Sequence, residues 1–338
     1  MNSRLLQALA CKNEGRAPVW LMRQAGRYMP QYRAMREKHS LWELFHRADL
    51  AAQVTRLPLS LLDVDAAILF SDILVIAESL GLSIHFPETG GPRVEPAVRT
   101  AEQVDALPML CVEESLSYVL ETIRLLKPDL NVPLIGFCGG PFTVASYLID
   151  SGSKQEFSLT KQWMKEDPSS LHRLLQKITL ATIAYLKAQV KEGVNALQIF
   201  DSWLNILDEQ QRHAFAYPYL KQIVDALANE ATPVILFCRH SSLFPQELAA
   251  LNPSCISFDW LRPMNELRSS VSKEIAVQGN IEPSILKLSK PEITQATQSL
   301  LQSMDGEKGF ILNLGHGVTP DIPLDHVRHF VDVAKAWK

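Results

Sequence analysis

Four arginines stand close together after the first apolar segment of the chain, between Pro18 and Ser40: Arg23, Arg27, Arg33 and Arg36. The planar guanidinium group binds carboxylates and phosphates through two parallel hydrogen bonds. The chain as a whole has a formal net charge of -4, so this cluster is not part of a generally basic surface. It predicts a local site for a small acidic ligand.

Asp72 is the second residue whose type and position could serve a chemical reaction. It follows Ser71 inside "DAAILFSDILVIAESLG", where these two residues interrupt an otherwise apolar segment. A buried carboxylate without a partner is unfavourable, so Asp72 requires a cation or several hydrogen-bond donors. Two interpretations stay open, a structural ion pair with one of the arginines and a functional carboxylate.

The elements that would position these groups follow from eight short apolar runs separated by helical patterns. The runs are VWLM (from Val19), AAILF (Ala66), PLIGF (Pro133), ALQIF (Ala196), PVILF (Pro233), CISF (Cys255), IAVQ (Ile275) and FILNL (Phe310). The clearest helices are Leu171 to Gly193 and Leu324 to Lys338. This alternation predicts a parallel sheet and, most economically, a (β/α)8 TIM barrel forming a single domain over residues 1–338. An open doubly wound sheet is the alternative, although no strand is followed by a GxGxxG or P-loop motif.

The barrel makes a specific prediction, because its functional groups lie at the carboxyl ends of the strands. The residues there are Arg23, Ser71, Asp72, Cys138, Asp201, Ser202, Arg239, His240, Asp259, Asn280 and His316. We expect them to converge on one cleft. Taken singly, Asp201, Ser202 and Asp259 could equally be helix N-caps, and His316 a turn residue.

The composition excludes several functional classes. The acidic balance argues against nucleic-acid or anionic-membrane binding, and no apolar run is long enough to span a bilayer. The N-terminus lacks the pattern of a signal peptide, so we expect a cytoplasmic protein. The five cysteines have scattered spacings without a CxxC pair, which predicts reduced and mostly buried thiols.

Several longer motifs together resemble the uroporphyrinogen decarboxylase family. They are PVWLMRQAGRYMPQYR, VDAAILFSDILV, PLIGFCGGPFTVASYLI, LQIFDSW, FDW, QGNIEP and FILNLGHGVTPDIP. The resemblance runs from Pro18 to Pro323 in the order of the family. It implies a (β/α)8 barrel that acts as a homodimer without metal or organic cofactor. The implied reaction converts the four acetate side chains of uroporphyrinogen III to methyl groups, giving coproporphyrinogen III and CO2.

The resemblance also implies roles for individual residues. Arg23 and Arg27 would bind substrate carboxylates, and Asp72 would accept hydrogen bonds from the pyrrole NH groups. The family's tyrosine, serine and histidine correspond to Tyr147, Ser202 and His316, so the implied catalytic set is Asp72, Arg23, Tyr147 and His316. A protonated pyrrole can accept the electrons released with CO2, so no cofactor is needed. The proton donor stays open between Arg23 and His316.

This sequence departs from the family pattern at a few places. Ser151 occupies a position where the family has a flexible glycine, and Leu204 and Asn205 replace the Ala-Gly of the family's SWAG motif. The segments LSLLDVD and QGNIEP also differ slightly from the usual LRRFGVD and QGNLDP. These changes affect loops more than the implied catalytic residues.

Two other functions are considered. A zinc- and corrinoid-dependent methyltransferase of the same superfamily would carry a His-x-Cys pair where this chain has Leu236 and Cys238, so one thiol is insufficient for that site. A non-catalytic tetrapyrrole carrier would need the arginines but has little use for Asp72, Tyr147 and His316.

Overall fold

The computed structural model describes residues 3–87, 90–152 and 157–337. Its strands are β1 (Ala67–Ile68), β2 (Ser83–His85), β3 (Arg93–Glu95), β4 (Leu134–Gly139), β5 (Ala196–Phe200), β6 (Val234–Phe237), β7 (Cys255–Ser257), β8 (Ala276–Ile281) and β9 (Phe310–Leu314). Seven of them form a curled parallel sheet in the order β1-β4-β5-β6-β7-β8-β9. The order follows the chain in one direction, whereas a doubly wound sheet reverses at a switch point. The doubly wound alternative is therefore wrong.

Helices cover the outer face of this sheet. The first eight are α1 (Arg4–Leu9), α2 (Pro30–Lys38), α3 (Leu41–His46), α4 (Ala48–Leu62), α5 (Ala101–Ala106), α6 (Val112–Ser115), α7 (Ser117–Leu126) and α8 (Pro141–Asp150). They are followed by α9 (Ser158–Glu166), α10 (Pro168–Glu192), α11 (Glu209–Phe215), α12 (Tyr217–Leu227), α13 (Pro245–Ala249), α14 (Met264–Ser269), α15 (Lys290–Ser303) and α16 (Leu324–Ala336). Short 3-10 helices span Val75–Leu80, Leu204–Ile206, Ser241–Leu243 and Pro283–Lys287. None of the helices in the described part of the chain is both long and apolar enough to cross a membrane.

The long helix α10 illustrates how local sequence sets the element boundaries. The Asp167 side chain accepts a hydrogen bond from the Ser170 amide, and Pro168 occupies the first turn, where its missing N–H is not needed. The helix ends at Gly193, whose φ of 110° lies in the left-handed region. The sequence prediction of a helix ending on this glycine is confirmed.

Seven of the eight predicted apolar runs contain strands of the large sheet. The first run, VWLM, instead makes one isolated parallel bridge, between Val19 and Leu312 of β9. The Leu312 amide also donates to the Pro18 carbonyl at 2.9 Å, and the Asp65 amide before β1 donates to the Val19 carbonyl at 2.8 Å. The N-terminal segment therefore bonds to both edges of the sheet, while a closed eight-stranded barrel stays a prediction.

The segment His85 to Thr100, predicted as an irregular loop, is partly regular. β2 and β3 pair as a short antiparallel ribbon, with Ile84 opposite Val94. Ile84 and Val94 are buried, so the ribbon packs against the rest of the molecule. Glu88 and Thr89 of the predicted loop lie outside the described residues.

A polar network crosses the interior of the curled sheet. Trp20 Nε1 donates to Gln278 Oε1 at 2.9 Å, and Gln278 Nε2 donates to Ser257 Oγ at 3.0 Å and to Gln198 Oε1 at 3.3 Å. All four side chains are fully buried. Because buried polar groups must find partners, this network links β5, β7 and β8 to the N-terminal segment in one arrangement.

Asp65 connects the N-terminal segment to β1, and its removal is expected to destabilise the fold. Its carboxylate accepts from Arg16 Nη1 and Nη2 at 2.6 and 2.7 Å and from the Val19 amide at 2.8 Å. We expect Asp65→Ala to lower the free energy of unfolding by about 2 to 4 kcal/mol, because partly buried partners lose their acceptor. Urea unfolding measures the change. Asp49→Ala, which removes the exposed ion pair with Arg47, is the matched control and should change stability by less than about 1 kcal/mol. Equal effects of the two variants would contradict the role of Asp65.

Candidate active site

A deep cleft opens at the carboxyl ends of the parallel strands. Its interior volume is about 280 Å³, near the lower end of the range for small-molecule sites, and it opens to solvent at its mouth. The lining residues are Met22, Arg23, Ala25, Ile68, Leu69, Phe70, Ser71, Asp72, Ile73, Pro92, Phe137, Tyr147, Phe200, Ser202, Phe237, His316 and Gly317. Five of the six predicted site residues therefore line one cavity, and Arg27 does not.

Three phenylalanines form one wall of the cleft. Phe137, Phe200 and Phe237 come from the neighbouring strands β4, β5 and β6. Their ring centroids are 5.5 and 5.6 Å apart in edge-to-face contacts, and Phe237 lies 5.9 Å from His316 in the same way. This row offers a broad apolar surface to a ligand. This row was not predicted from the sequence, although the apolar runs that contain β4, β5 and β6 each end in phenylalanine.

Phe200 and the residues that follow it occupy two different environments. Phe200 and Ser202 line the cleft, and Asp201 between them is fully buried on the other side. There Asp201 Oδ1 accepts from the Thr143 amide at 2.9 Å and from Thr143 Oγ1 at 2.5 Å. Asp201 thus binds the first turn of α8, the helix that carries Tyr147, but the N-cap of α8 is Gly140 and Asp201 is not a helix N-cap residue. Burial raises its pKa to about 6.

Arg23 projects into the cleft from a turn with unusual backbone geometry. Its φ of 59° lies in the left-handed region, which is unfavourable for a side-chain-bearing residue. The turn is held by Gln24, whose amide donates to the Leu21 carbonyl at 3.0 Å and whose Nε2 donates to the Ala66 carbonyl at 3.0 Å. A Cβ on Gly317 would lie 2.4 Å from Arg23 Cδ, so only glycine leaves room for this side chain. The guanidinium is accessible from the cleft yet surrounded by protein, and this desolvation is the main cause that lowers its pKa.

Asp72 lies at the floor of the cleft, between β1 and the 3-10 helix that starts at Val75. Its Oδ1 accepts from the Leu74 amide at 2.9 Å. Among the described residues, no arginine or lysine nitrogen lies within 4.0 Å of its carboxylate, so the structural ion pair is not formed. Burial raises the pKa of Asp72 to about 6, and the Leu74 amide and the charge of Arg23 partly oppose this shift. Asp72 therefore presents a poorly solvated carboxylate to the cleft.

His316 follows β9 and lies near Arg23, which packs against the adjacent Gly317. Burial lowers its pKa to about 3, and the nearby charges of Arg23 and Arg239 act in the same direction. The imidazole is therefore neutral at physiological pH in the unliganded protein. A neutral imidazole can donate one hydrogen bond and accept another, but it cannot act as a strong acid.

The four N-terminal arginines separate into different environments. Arg33 donates to the carbonyls of Arg27 and Tyr28 at 2.9 and 3.2 Å, and Arg36 donates to the His39 carbonyl at 2.8 Å. These two guanidiniums stabilise the ends of α2. Arg27 is exposed and close enough to Arg23 to lower the pKa of that group. The cluster therefore contributes Arg23 to the cleft, with Arg27 outside its lining.

The departures from the family pattern have simple structural roles. Ser151 ends α8 with a φ of 54°, the geometry that a glycine would favour, and its Oγ donates to the Val94 carbonyl of β3 at 2.8 Å. Leu204 is fully buried and begins a 3-10 helix with Asn205. Ser153 and Lys154 lie outside the described residues.

The thiols lie away from the cleft lining. Cys138, Cys238 and Cys255 are buried, Cys11 is half-buried and Cys111 is exposed, and all five are free, so the prediction of mostly buried thiols is confirmed. Cys238 follows the cleft-lining Phe237 and points to the opposite side, where burial raises its pKa. In the described part of the chain, no three His, Cys, Asp or Glu side chains are grouped to hold a metal ion.

Asp72→Asn is expected to stabilise the protein at neutral pH. The folded-state pKa of Asp72, about 6, lies above its ordinary value of 3.8, so ionisation disfavours the folded state. The contribution of this group to stability is greatest below pH ~4 and is lost as the pH rises through about 6. The Asn variant should exceed the wild type by about 1 to 3 kcal/mol in unfolding free energy at pH 7.5, with the difference shrinking towards pH 4. Denaturant unfolding at several pH values measures this, and a difference independent of pH would contradict it.

Comparison with known proteins gives a consistent result. The family model described as uroporphyrinogen decarboxylase (URO-D) matches residues 1–337. A protein of Protochlamydia amoebophila named uroporphyrinogen decarboxylase is 47% identical over 334 residues, which cover 99% of this chain and 92% of that protein. One of the same name from Idiomarina loihiensis is 38% identical, covering 98% of this chain and 94% of that protein.

Among solved structures, a methyltransferase from Methanosarcina mazei superposes with a TM-score of 0.79 at 20% identity. The match covers 98% of this chain and 97% of that one, and it shows a shared fold alone. The family match and the curated relatives extend over nearly the whole chain, including every motif that lines the cleft. The chain belongs to the uroporphyrinogen decarboxylase family.

Proposed function

We propose that this protein removes the four acetate carboxylates of uroporphyrinogen III, giving coproporphyrinogen III and CO2, without a metal or organic cofactor. The activity is that of the family and of its curated relatives. In this chain, the main support for the proposal is the position of the Asp72 carboxylate, at the floor of a deep cleft that is also lined by Arg23 and an aromatic wall. A substrate that carries acidic substituents and reacts through a cationic transition state fits these groups.

The substrate is a polyanion with four pyrrole NH groups. Asp72 accepts hydrogen bonds from these NH groups. The Leu74 amide holds its carboxylate in place through Oδ1, and the carboxylate faces the cleft. Arg23 binds a carboxylate of the substrate inside the cleft, and Arg27 binds one at its edge. Tyr147 and Ser202 contact the substrate from α8 and from the end of β5. The phenylalanine wall packs against the macrocycle and excludes water.

The reaction begins with protonation of the pyrrole ring carbon beside the one that bears the acetate. The C–CO2 bond then breaks, its electrons neutralise the protonated ring, and an exocyclic methylene forms. Protonation of this methylene and loss of the ring proton give the methyl group, so that one proton is consumed for each CO2 released. Asp72 stabilises the cationic intermediate. A charge pair at about 4 Å in an effective dielectric near 20 contributes roughly 4 kcal/mol, or about a thousandfold in rate.

Arg23, acting directly or through a water molecule, is the favoured proton donor. Burial lowers its pKa, which is the direction that an arginine acid requires. His316 is the weaker candidate because its low pKa leaves it neutral. A neutral His316 instead donates a hydrogen bond to a substrate carboxylate, and the phenylalanine beside it fixes the ring.

The larger architecture is part of the proposal. The N-terminal segment bonds to β9 on one side and to the residue before β1 on the other, which supports an eighth barrel position and a single closed (β/α)8 domain. By family membership, we further propose a cytoplasmic homodimer.

Anaerobic turnover of uroporphyrinogen III tests the activity. We expect porphyrinogens with seven to four carboxylates to form, detected by chromatography after oxidation, and treatment with EDTA to leave the rate unchanged. Asp72→Asn should lower kcat by about a thousandfold, because the cation loses its partner charge. Asp49→Asn, at an exposed aspartate that pairs with Arg47 and does not line the cleft, serves as the matched control. Substrate binding by the wild type without CO2 release would overturn the proposal and favour a carrier.

A further inference from the structure

Arg239 lies two residues after β6, and neither the family resemblance nor the mechanism above gives it a role. Arg239 lies in the turn that follows β6, and its charge acts on the cleft-lining His316, so its guanidinium is on the cleft side. Its guanidinium carbon is 4.3 Å from the centroid of the Trp203 ring. Trp203 directly follows the cleft-lining Ser202. The stack therefore holds a planar guanidinium at the rim of the cleft between the ends of β5 and β6.

Arg239 has no acidic partner among the residues that the structure describes. The neighbouring arginines in sequence are different, since Arg212 pairs with Glu247 at 3.0 Å and Arg262 with Glu266 at 3.6 Å. Arg239 is half-buried, so water solvates its charge only in part. A half-buried, stacked guanidinium without a carboxylate is arranged to receive one from a ligand.

Other positive charge faces the same space. Arg23 lowers the pKa of Arg239, and both arginines lower the pKa of His316. These three groups therefore lie near one another, and the two arginine charges would stabilise an anion bound among them. Asp72 follows β1, three strands away from β6 in the sheet order. Arg239 thus stands well apart from the floor of the cleft, where the chemistry is proposed to occur.

We propose that Arg239 is a further substrate-binding residue, which binds a carboxylate of the tetrapyrrole remote from the pyrrole ring held at Asp72. This inference rests on the proposed function for the identity of the substrate. Because Arg239 is distant from the reacting ring, it contributes to affinity more than to the chemical step. Trp203 positions its guanidinium plane, so the interaction requires the shape of arginine as well as its charge.

The test compares Arg239→Gln and Arg239→Lys with the wild type in anaerobic steady-state assays of uroporphyrinogen III. We expect the Gln variant to raise KM roughly tenfold or more while kcat stays within about threefold, since one charge-assisted carboxylate contact is lost. The Lys variant should recover part of the affinity, because it keeps the charge but loses the bidentate geometry and the stack. Circular dichroism and thermal unfolding establish that each variant is folded.

Arg262→Gln is the matched control. It removes one arginine charge near the same end of the sheet, from a half-exposed side chain that pairs with Glu266, and should leave KM unchanged. Raising the salt concentration should weaken binding of the wild type more than that of Arg239→Gln, because fewer charge contacts remain in the variant. An unchanged KM in Arg239→Gln, or a fall in kcat alone, would overturn the inference.

Direct binding separates this inference from the proposed function. Quenching of tryptophan fluorescence by uroporphyrin, the oxidised octacarboxylate, measures affinity without turnover. If the wild type binds but releases no CO2, the decarboxylase proposal fails, and a weaker affinity of Arg239→Gln still supports a carboxylate site at Arg239. If wild type and Arg239→Gln bind equally well, the site is excluded even where turnover is normal.

Discussion

The hydrogen bonds that join the N-terminal segment to the last strand determine the geometry of the cleft. Leu312 of β9 bonds to the Pro18 carbonyl, and the Val318 amide bonds to the Met22 carbonyl at 2.9 Å, so both ends of the chain meet at this place. Arg23 and His316 become neighbours only through this pairing, because they are almost a whole chain length apart in sequence. The left-handed turn at Arg23 is maintained by the Gln24 hydrogen bonds to Leu21 and Ala66, which offset the unfavourable backbone conformation. The cleft therefore depends on an interaction remote from its chemistry.

The cleft holds a carboxylate and arginine side chains near one another without forming an ion pair between them. Asp72 and Arg23 influence each other electrostatically, yet no ion pair forms between them in the described structure. Asp72 is partly buried, Arg23 is accessible from the cleft, and both are available to a ligand. An ion pair would satisfy each group internally and would leave little for a substrate to gain. Perturbed ionisable groups of this kind are typical of functional sites, where stability is given up for reactivity.

Much of this arrangement could be predicted from the sequence, because the apolar runs and their carboxyl-terminal residues follow simple periodicities. The runs indicated seven strands of the sheet, and the convergence of Arg23, Asp72, Ser202 and His316 followed from the parallel topology. Tyr147 lies on a helix, and only the family resemblance indicated it. Other features depend on contacts distant in sequence: the ribbon of β2 and β3, the exclusion of Arg27 from the cleft lining, and the stack of Arg239 on Trp203. No local pattern distinguishes an arginine that faces a cleft from one that caps a helix, as Arg33 and Arg36 demonstrate.

The alternation after β5 has a further consequence for how such a chain can vary. Asp201 anchors a helix and Ser202 faces the cleft because successive residues after the end of β5 point in opposite directions. Shifting the strand by a single residue would send the carboxylate into the cleft and the hydroxyl into the packed layer behind it. Single side chains at the rim of the cleft can therefore be substituted, whereas the number of residues from β5 to the rim is fixed. Insertions and deletions in related sequences should accumulate in the helices and their preceding loops, leaving the spacing from each strand to the cleft unchanged.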